Sequence, residues 1–216
     1  MILALDTSLG SAVAVVDVDG VVRGEAASPN ALGHAEIIGT LIQQALAQAS
    51  VAPAEIAHVA AGMGPGPFTG LRIGIAAART FALARGVPVV AVASHDAAAL
   101  AAFEADASGP IAIVTDARRR EFAYTVYTGL RVGLPVRASE PALSPRDDLD
   151  ARLDALAEPT ASVRRLDVSS ISAGVLGRLA GRMIAAGHTA DGATAEPLYL
   201  RSPDVTLGHA PKRVGV

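Results

Sequence analysis

The sequence predicts an α/β protein of two lobes, each a mixed sheet with flanking helices. Three observations carry that expectation. Strand and helix signals alternate through the first half, and the second half partly repeats the opening pattern. In addition, a glycine-rich stretch from Gly62 to Gly74, GMGPGPFTGLRIG, joins a buried strand to an apolar helix. A break at Asp106 to Pro110, DASGP, divides the chain into an amino-terminal lobe of residues 1–107 and a carboxy-terminal lobe with its tail, 108–216.

Ile2 to Asp6 is a buried strand, Ser11 to Asp19 a second, and the Asp19-Gly20 turn leads into a third, Val21 to Ala27. Helix one runs from about Ala35 to Ala49, its stripe being Ile38, Leu41, Ile42, Ala45, Leu46 and Ala49. A short strand, His58 to Met63, enters the glycine loop. Thr69 is the expected N-cap of helix two, Leu71 to Leu83. Only Arg72, Arg79 and Thr80 are polar in that span, so the helix is expected to bury nearly its whole circumference. Gly86 and Pro88 stop it. Val89 to Ala93 is another buried strand, and an alanine-rich helix follows from about Asp96 to Glu104.

After the break, Ile111 to Asp116 is an apolar strand ending in aspartate, as Ile2 to Asp6 is. Phe122 to Tyr127 and Arg131 to Arg137 complete a second meander, which suggests internal duplication. An acidic helix (Asp147 to Leu156) and a small-residue helix (about Ser172 to Ala186) come next. The proline-spaced tail from Glu196 to Arg201 and onward is expected to wrap back over the surface.

The 216 residues provide ample core for independent stability. Hydrophobic content of 51% is high, the excess being mostly alanine, and no apolar run approaches the roughly 18 residues of a membrane span. The opening MILALDTS has no basic n-region, so a signal or transit peptide is not expected and the address reads as cytoplasmic. Zero cysteines exclude disulfides, thiolate zinc sites and a cysteine nucleophile. A net charge of −3 argues against broad capture of nucleic acid, and Lys212 is the single lysine among eighteen basic residues.

ILALDTS, His34 entering helix one, GMGPGPFTGLRIGIA, PVVAVAS, VTDARRREFAY and the closing EPLYLR together resemble the TsaB family of bacterial tRNA threonylcarbamoyladenosine biosynthesis proteins, formerly described as glycoprotease-like. The similarity covers most of Met1 to Tyr127 and returns at Glu196 to Arg201. It implies an actin-like, sugar-kinase-like (ASKHA) fold. It also implies a scaffold role, without catalysis, beside the paralogous transferase TsaD, with the small ATPase TsaE in the assembly and a homodimer when alone. The family has more residues between the second meander and the last helices. Here ASVRRLDVSSISAG takes that region, so either the second lobe is abbreviated or the sequence lacks part of it.

The residues test the scaffold reading. The catalytic paralogue carries His-x-x-x-His on the helix after its PVVAV-like strand, where i,i+4 spacing aligns two metal ligands. This chain has His95 and then Ala99, so no metal and no cofactor are expected. Asp6, Thr7 and Ser8 at one strand end and Asp116 at another stand where actin-like ATPases contact phosphate; the competing reading is a pair of turn-capping aspartates. No Gly-Lys-Ser/Thr closes the glycine loop, which rejects a P-loop and favours a packing role. Arg118, Arg119 and Arg120 read as a solvated edge, with tRNA met only indirectly. His188 and His209 belong to no constellation.

Helix two, with helix one beside it, is the expected partner interface: His34, Ile37, Leu41, Arg72, Gly74, Ala77, Ala78 and Arg79. The rival reading is an autonomous phosphotransferase or nucleotide hydrolase using Asp6 and Asp116 across a cleft. A peptidase lacks any metal pair or nucleophile–base pair.

Overall fold

A computed structural model describes residues 1–29, 33–156, 162–188 and 192–201. The first sheet has the order β3-β2-β1-β4-β5, from β1 (Ile2–Asp6), β2 (Ser11–Val16), β3 (Val22–Ser28), β4 (His58–Gly62) and β5 (Val89–Val92). β1 to β3 form the antiparallel meander; β4 and β5 add parallel strands through α1 (His34–Ala49) and α2 (Phe68–Arg85). Every residue of β1 and β2 is buried, because helices cover both faces of the sheet.

Strand alternation assigns the faces. Leu3, Leu5, Val13 and Val15 meet α1 and α2, with Leu41, Leu71 and Ile75 filling that layer. Ile2, Ala4, Ala14 and Val16 meet the opposite layer, formed by α3 (Ser94–Glu104) and α5 (Ala173–Ala185). The second sheet is β10-β6-β7-β8, built from β6 (Ile111–Asp116), β7 (Glu121–Arg131), β8 (Leu134–Arg137) and β10 (Arg164–Asp167), with β9 (Ala142–Pro145) also paired to β7. β10 lies parallel to β6 as β4 lies parallel to β1, so the two meanders are extended in the same way. α4 (Leu149–Leu156) buries Leu149 and Leu153 against Val114 and Val126.

The structure corrects several expectations. β2 ends at Val16, because Asp17 turns the chain by accepting from the Asp19 and Val21 amides. Helix two begins at Phe68 with Pro67 as N-cap, so Thr69 lies inside it. Its burial is one-sided: Gly70, Leu71, Gly74, Ile75, Ala78 and Ala82 face inward, while Thr69, Arg72, Ala76, Thr80 and Leu83 form an exposed stripe, Leu83 at 85%. Strands β9 and β10 were not anticipated. α5 follows the second sheet in sequence yet packs on the first, where Gly177 allows close approach: a methyl group there would lie 2.6 Å from Val16 Cγ2. The segment 192–201 also returns to the first lobe, with Leu198 N–H donating to the Met63 carbonyl. His209, Lys212 and the rest of the tail beyond Arg201 lie outside the described residues.

Candidate functional site

Asp6, Thr7 and Ser8 close β1, and all three are buried. Asp6 Oδ1 accepts from the Ser8 amide at 2.8 Å and from Ser8 Oγ at 2.6 Å, the Asx-turn geometry; Oδ2 accepts from Ser94 Oγ at 2.5 Å. Burial pushes the Asp6 carboxyl above its ordinary value, with the serine hydrogen bonds opposing that rise. Thr7 Oγ1 donates to the Gly70 carbonyl at 2.7 Å.

The glycines explain this packing. A methyl group at position 62 would lie 2.0 Å from Asp6 Oδ2, one at 66 would lie 2.9 Å from Ser8 Cα, one at 70 would lie 2.6 Å from the Thr7 carbonyl oxygen, and one at 74 would lie 2.2 Å from Thr7 Oγ1. Repeated spacing of four residues thus brings the β4–α2 connection onto the end of β1. That spacing is visible in the sequence, but its target is not.

His95 is fully buried at the start of α3. Its Nδ1 is 2.8 Å from Thr125 Oγ1 and its Nε2 3.0 Å from Thr115 Oγ1, so both ring nitrogens are engaged by the second sheet. Burial, helped by the nearby Arg137 charge, lowers its pKa to about 3 and keeps the imidazole neutral. Asp96 beside it accepts from Tyr127 Oη at 2.6 Å and from two nitrogens of Arg137 at 2.8 Å. Sequence reading missed this cluster, since Tyr127 and Arg137 come from distant strands. Among the described residues, no group of three or more His, Asp or Glu is placed to hold a metal ion.

Asp116 caps the β6–β7 turn through the Arg118 amide at 2.9 Å and pairs with Arg146 at 2.9 Å. The amide bond and then Arg146 hold its carboxyl below the usual range. The turn is tightly wound: Arg118, Arg119 and Arg120 have φ of 62°, 51° and 61°, a left-handed run without glycine.

Between the lobes lies a pocket of about 690 Å³. The glycine loop, the first turns of α1 and α2, the Thr115–Arg119 turn and the segment 199–201 line it. The expected interface residues divide around it. His34 is buried, its Nδ1 2.7 Å from Ser11 Oγ, and lines the pocket. Leu41, Gly74 and Ala78 point into the core of their own lobe, which removes them from any outer face. Arg79 is occupied by the returning segment, donating to the Gly192 and Ala195 carbonyls. Ile37 and Ala77 are half-buried at the edge of the α1–α2 layer. Arg72 is exposed and lies over the rings of Phe68 and Tyr199, at 5.8 Å and 5.5 Å, with Nε donating to Tyr199 Oη.

Two helix-flanked sheets in this topology define the molecule as a two-lobed, actin-like α/β protein. Residues 18–150 match the family model described as TsaD, tRNA N6-adenosine threonylcarbamoyltransferase. An uncharacterized protein of Mycobacterium tuberculosis is 38% identical over 151 residues, 69% of this chain and 67% of that protein. The tRNA threonylcarbamoyladenosine biosynthesis protein TsaB of Haemophilus influenzae is 32% identical over 127 residues, 57% of this chain and 52% of that protein, so this match spans about half the relative's length. The structure of YeaZ from Pseudomonas aeruginosa superposes with a TM-score of 0.75 at 28% identity, covering 92% of this chain and 99% of that one. The chain belongs to this TsaD-type, glycoprotease-like family and is a homologue of TsaB (YeaZ).

Proposed function

We propose that the chain is a non-catalytic partner subunit in tRNA threonylcarbamoyladenosine biosynthesis, docking on a TsaD-type transferase and holding it in its competent state. The observation that carries this reading is how the chemistry-bearing side chains are used. Asp6 and His95 stand where the fold could run a reaction, yet their hydrogen bonds are filled from within the chain by Ser8, Ser94, Thr115 and Thr125. The outer side of the α1–α2 layer, meanwhile, presents Ala76 and Leu83 beside the half-buried Ile37, Ile73 and Ala77.

The contribution to catalysis is a population shift in the partner, without a donated reactive group. The same face serves a homodimer when the chain is alone. A TsaE-type ATPase joins through the complex, tRNA is met through the partner, and the work is cytoplasmic. Among the described residues no helix is long and apolar enough to cross a membrane.

Size-exclusion chromatography with a TsaD-type partner tests the docking. Ala76→Glu and Leu83→Glu alter exposed positions and are expected to abolish co-elution while circular dichroism is unchanged. Co-elution of both variants at wild-type levels would place the contact elsewhere. Sustained ATP turnover by the purified chain alone would favour the phosphotransferase or hydrolase reading instead.

A further inference from the structure

The two outer helices carry an uncompensated charge. α1 and α2 together hold Arg72, Arg79 and Arg85 against the single carboxylate Glu36, in a chain whose net charge is −3. Each of these arginines meets a neutral acceptor. Arg79 donates to the Gly192 and Ala195 carbonyls, Arg85 to those of Pro53 and Ala54, and Arg72 to Tyr199 Oη at 2.9 Å. Among the described residues none of the three pairs with a carboxylate. A guanidinium bonded to a neutral oxygen keeps its full charge, so α2 presents a positive potential. Glu36 lies over Gly33 in the first turn of α1, on the pocket wall.

Arg72 is the arginine placed to use that charge. It is exposed and shares a helix face with Ala76, Arg79 and Leu83, at steps of four, three and four residues. Phe68 stands one turn before it and Tyr199 arrives from the segment 192–201; the guanidinium lies over both rings, whose centroids are 4.7 Å apart. With Nε fixed on the Tyr199 hydroxyl, the terminal nitrogens have no partner among the described residues. They form an edge that a carboxylate can engage with two parallel bonds, and an immobilised guanidinium loses little further freedom on pairing.

On the docking role set out above, we propose that Arg72 determines the specificity of the α1–α2 face: it receives a carboxylate from an acidic partner surface, and the same charge disfavours pairing with a second copy. In a two-fold pair the face meets itself, so cations confront cations and Glu36 alone can offset them. Like charges across an interface are costly, whereas opposite ones steer association. The heteromer therefore prevails when both components are present. Tyr199, brought from 127 positions away, is the brace that holds the receptor.

The test is the salt dependence of two dissociation constants, for the complex with a TsaD-type transferase by calorimetry and for the chain with itself by sedimentation equilibrium, at about 50 and about 500 mM NaCl. The heteromer is expected to weaken about tenfold over that range, and the homodimer to hold or tighten. Arg72→Gln should weaken the heteromer about tenfold at low salt and flatten its salt dependence. Arg72→Lys should keep the salt dependence without recovering the affinity, since it lacks the planar fork. Tyr199→Phe keeps the ring and should weaken the heteromer several-fold with its salt dependence intact. Circular dichroism and thermal midpoints check that each variant is folded. A salt-independent heteromer, wild-type affinity in Arg72→Gln, or a loss in Arg72→Gln that kept the wild-type salt slope would overturn the proposal and leave docking itself standing. So would a homodimer that loosens with salt. Full co-elution of Ala76→Glu and Leu83→Glu would instead remove the docking face, and this assignment with it.

Discussion

A single methyl group at position 74 would meet Thr7 Oγ1 at 2.2 Å, so the end of β1 and the second turn of α2 touch with no spare room. Gly74→Ala is expected to destabilise the fold by about 1–3 kcal/mol through forced separation. Much of that loss should return in the Gly74→Ala, Thr7→Ala double variant, as read by urea unfolding. Additive losses would mean that the two sites do not share the contact. His95 makes a pH prediction at the same scale. Its folded pKa of about 3 lies below the ordinary 6.5, so the unfolded chain binds a proton that the folded chain refuses. Stability associated with the neutral ring is complete above pH 6.5 and declines as pH falls from there toward 3. The expected slope is about 1.4 kcal/mol per pH unit within that window. His95→Gln should lose this slope between pH 6.5 and 5, where most carboxylates remain ionised; an unchanged slope would assign it to other groups.

Helices and straps behave as their two faces dictate. α2 reads as apolar all round because alanines on its outer side, Ala76 and Ala84, score as hydrophobic while covering little surface. In the structure a glycine–leucine–isoleucine–alanine face goes inward, and Ala76 and Leu83 stay outside. The segment 192–201 is held by few hydrogen bonds: Arg79 of α2 on the Gly192 and Ala195 carbonyls, Arg72 of α2 on Tyr199 Oη, and, outside α2, the Leu198 amide on the Met63 carbonyl and the Gly192 amide on the Val89 carbonyl. Arg79→Ala is expected to release this strap, raising the rate of limited proteolysis within 192–201 several-fold while the protein stays folded. Unchanged cleavage would show that the contacts of Leu198 and Tyr199 hold it without Arg79. The docking variants Ala76→Glu and Leu83→Glu belong to this scale too, since they alter a face without touching the core.

Across the whole molecule, α3 and α5 join the lobes. α3 belongs to the first lobe, yet His95 and Asp96 bond to β6, β7 and β8. Arg178 and Arg182 of α5 both pair with Glu104 at the end of α3, and Arg182 also donates to the Gly133 carbonyl beyond β7. Unfolding is therefore expected to be one cooperative transition despite two sheets. Arg137→Met removes the cation from half-buried Asp96 and fully buried Tyr127 and should cost about 1–3 kcal/mol. The m-value should not change. A second, separate transition in the wild type would show that the lobes are energetically independent.

Much of the architecture is legible along the chain because its causes are local. Strand β1 and the meander after it follow from alternating apolar runs and an Asp-Gly turn. α2 ends where Gly86 takes a left-handed φ of 64°. β6 is an apolar run ending in Asp116, and the aspartates at both strand ends cap turns through neighbours two residues away. β9 and β10 were not legible: four-residue strands with half-exposed, charged sequence such as RRLD acquire their pairing from β6 and β7, not from their own propensity. The same distinction governs the sites. His34, Asp6 and the four-residue glycine spacing are conspicuous in one dimension. Which hydroxyl meets His34, which atoms Gly62 and Gly74 crowd, and which side of α2 remains uncovered are fixed by residues 23 to more than 100 positions away. Short-range sterics and hydrogen bonds write the elements into the chain; burial and partner choice are decided only when distant surfaces compete for the same space.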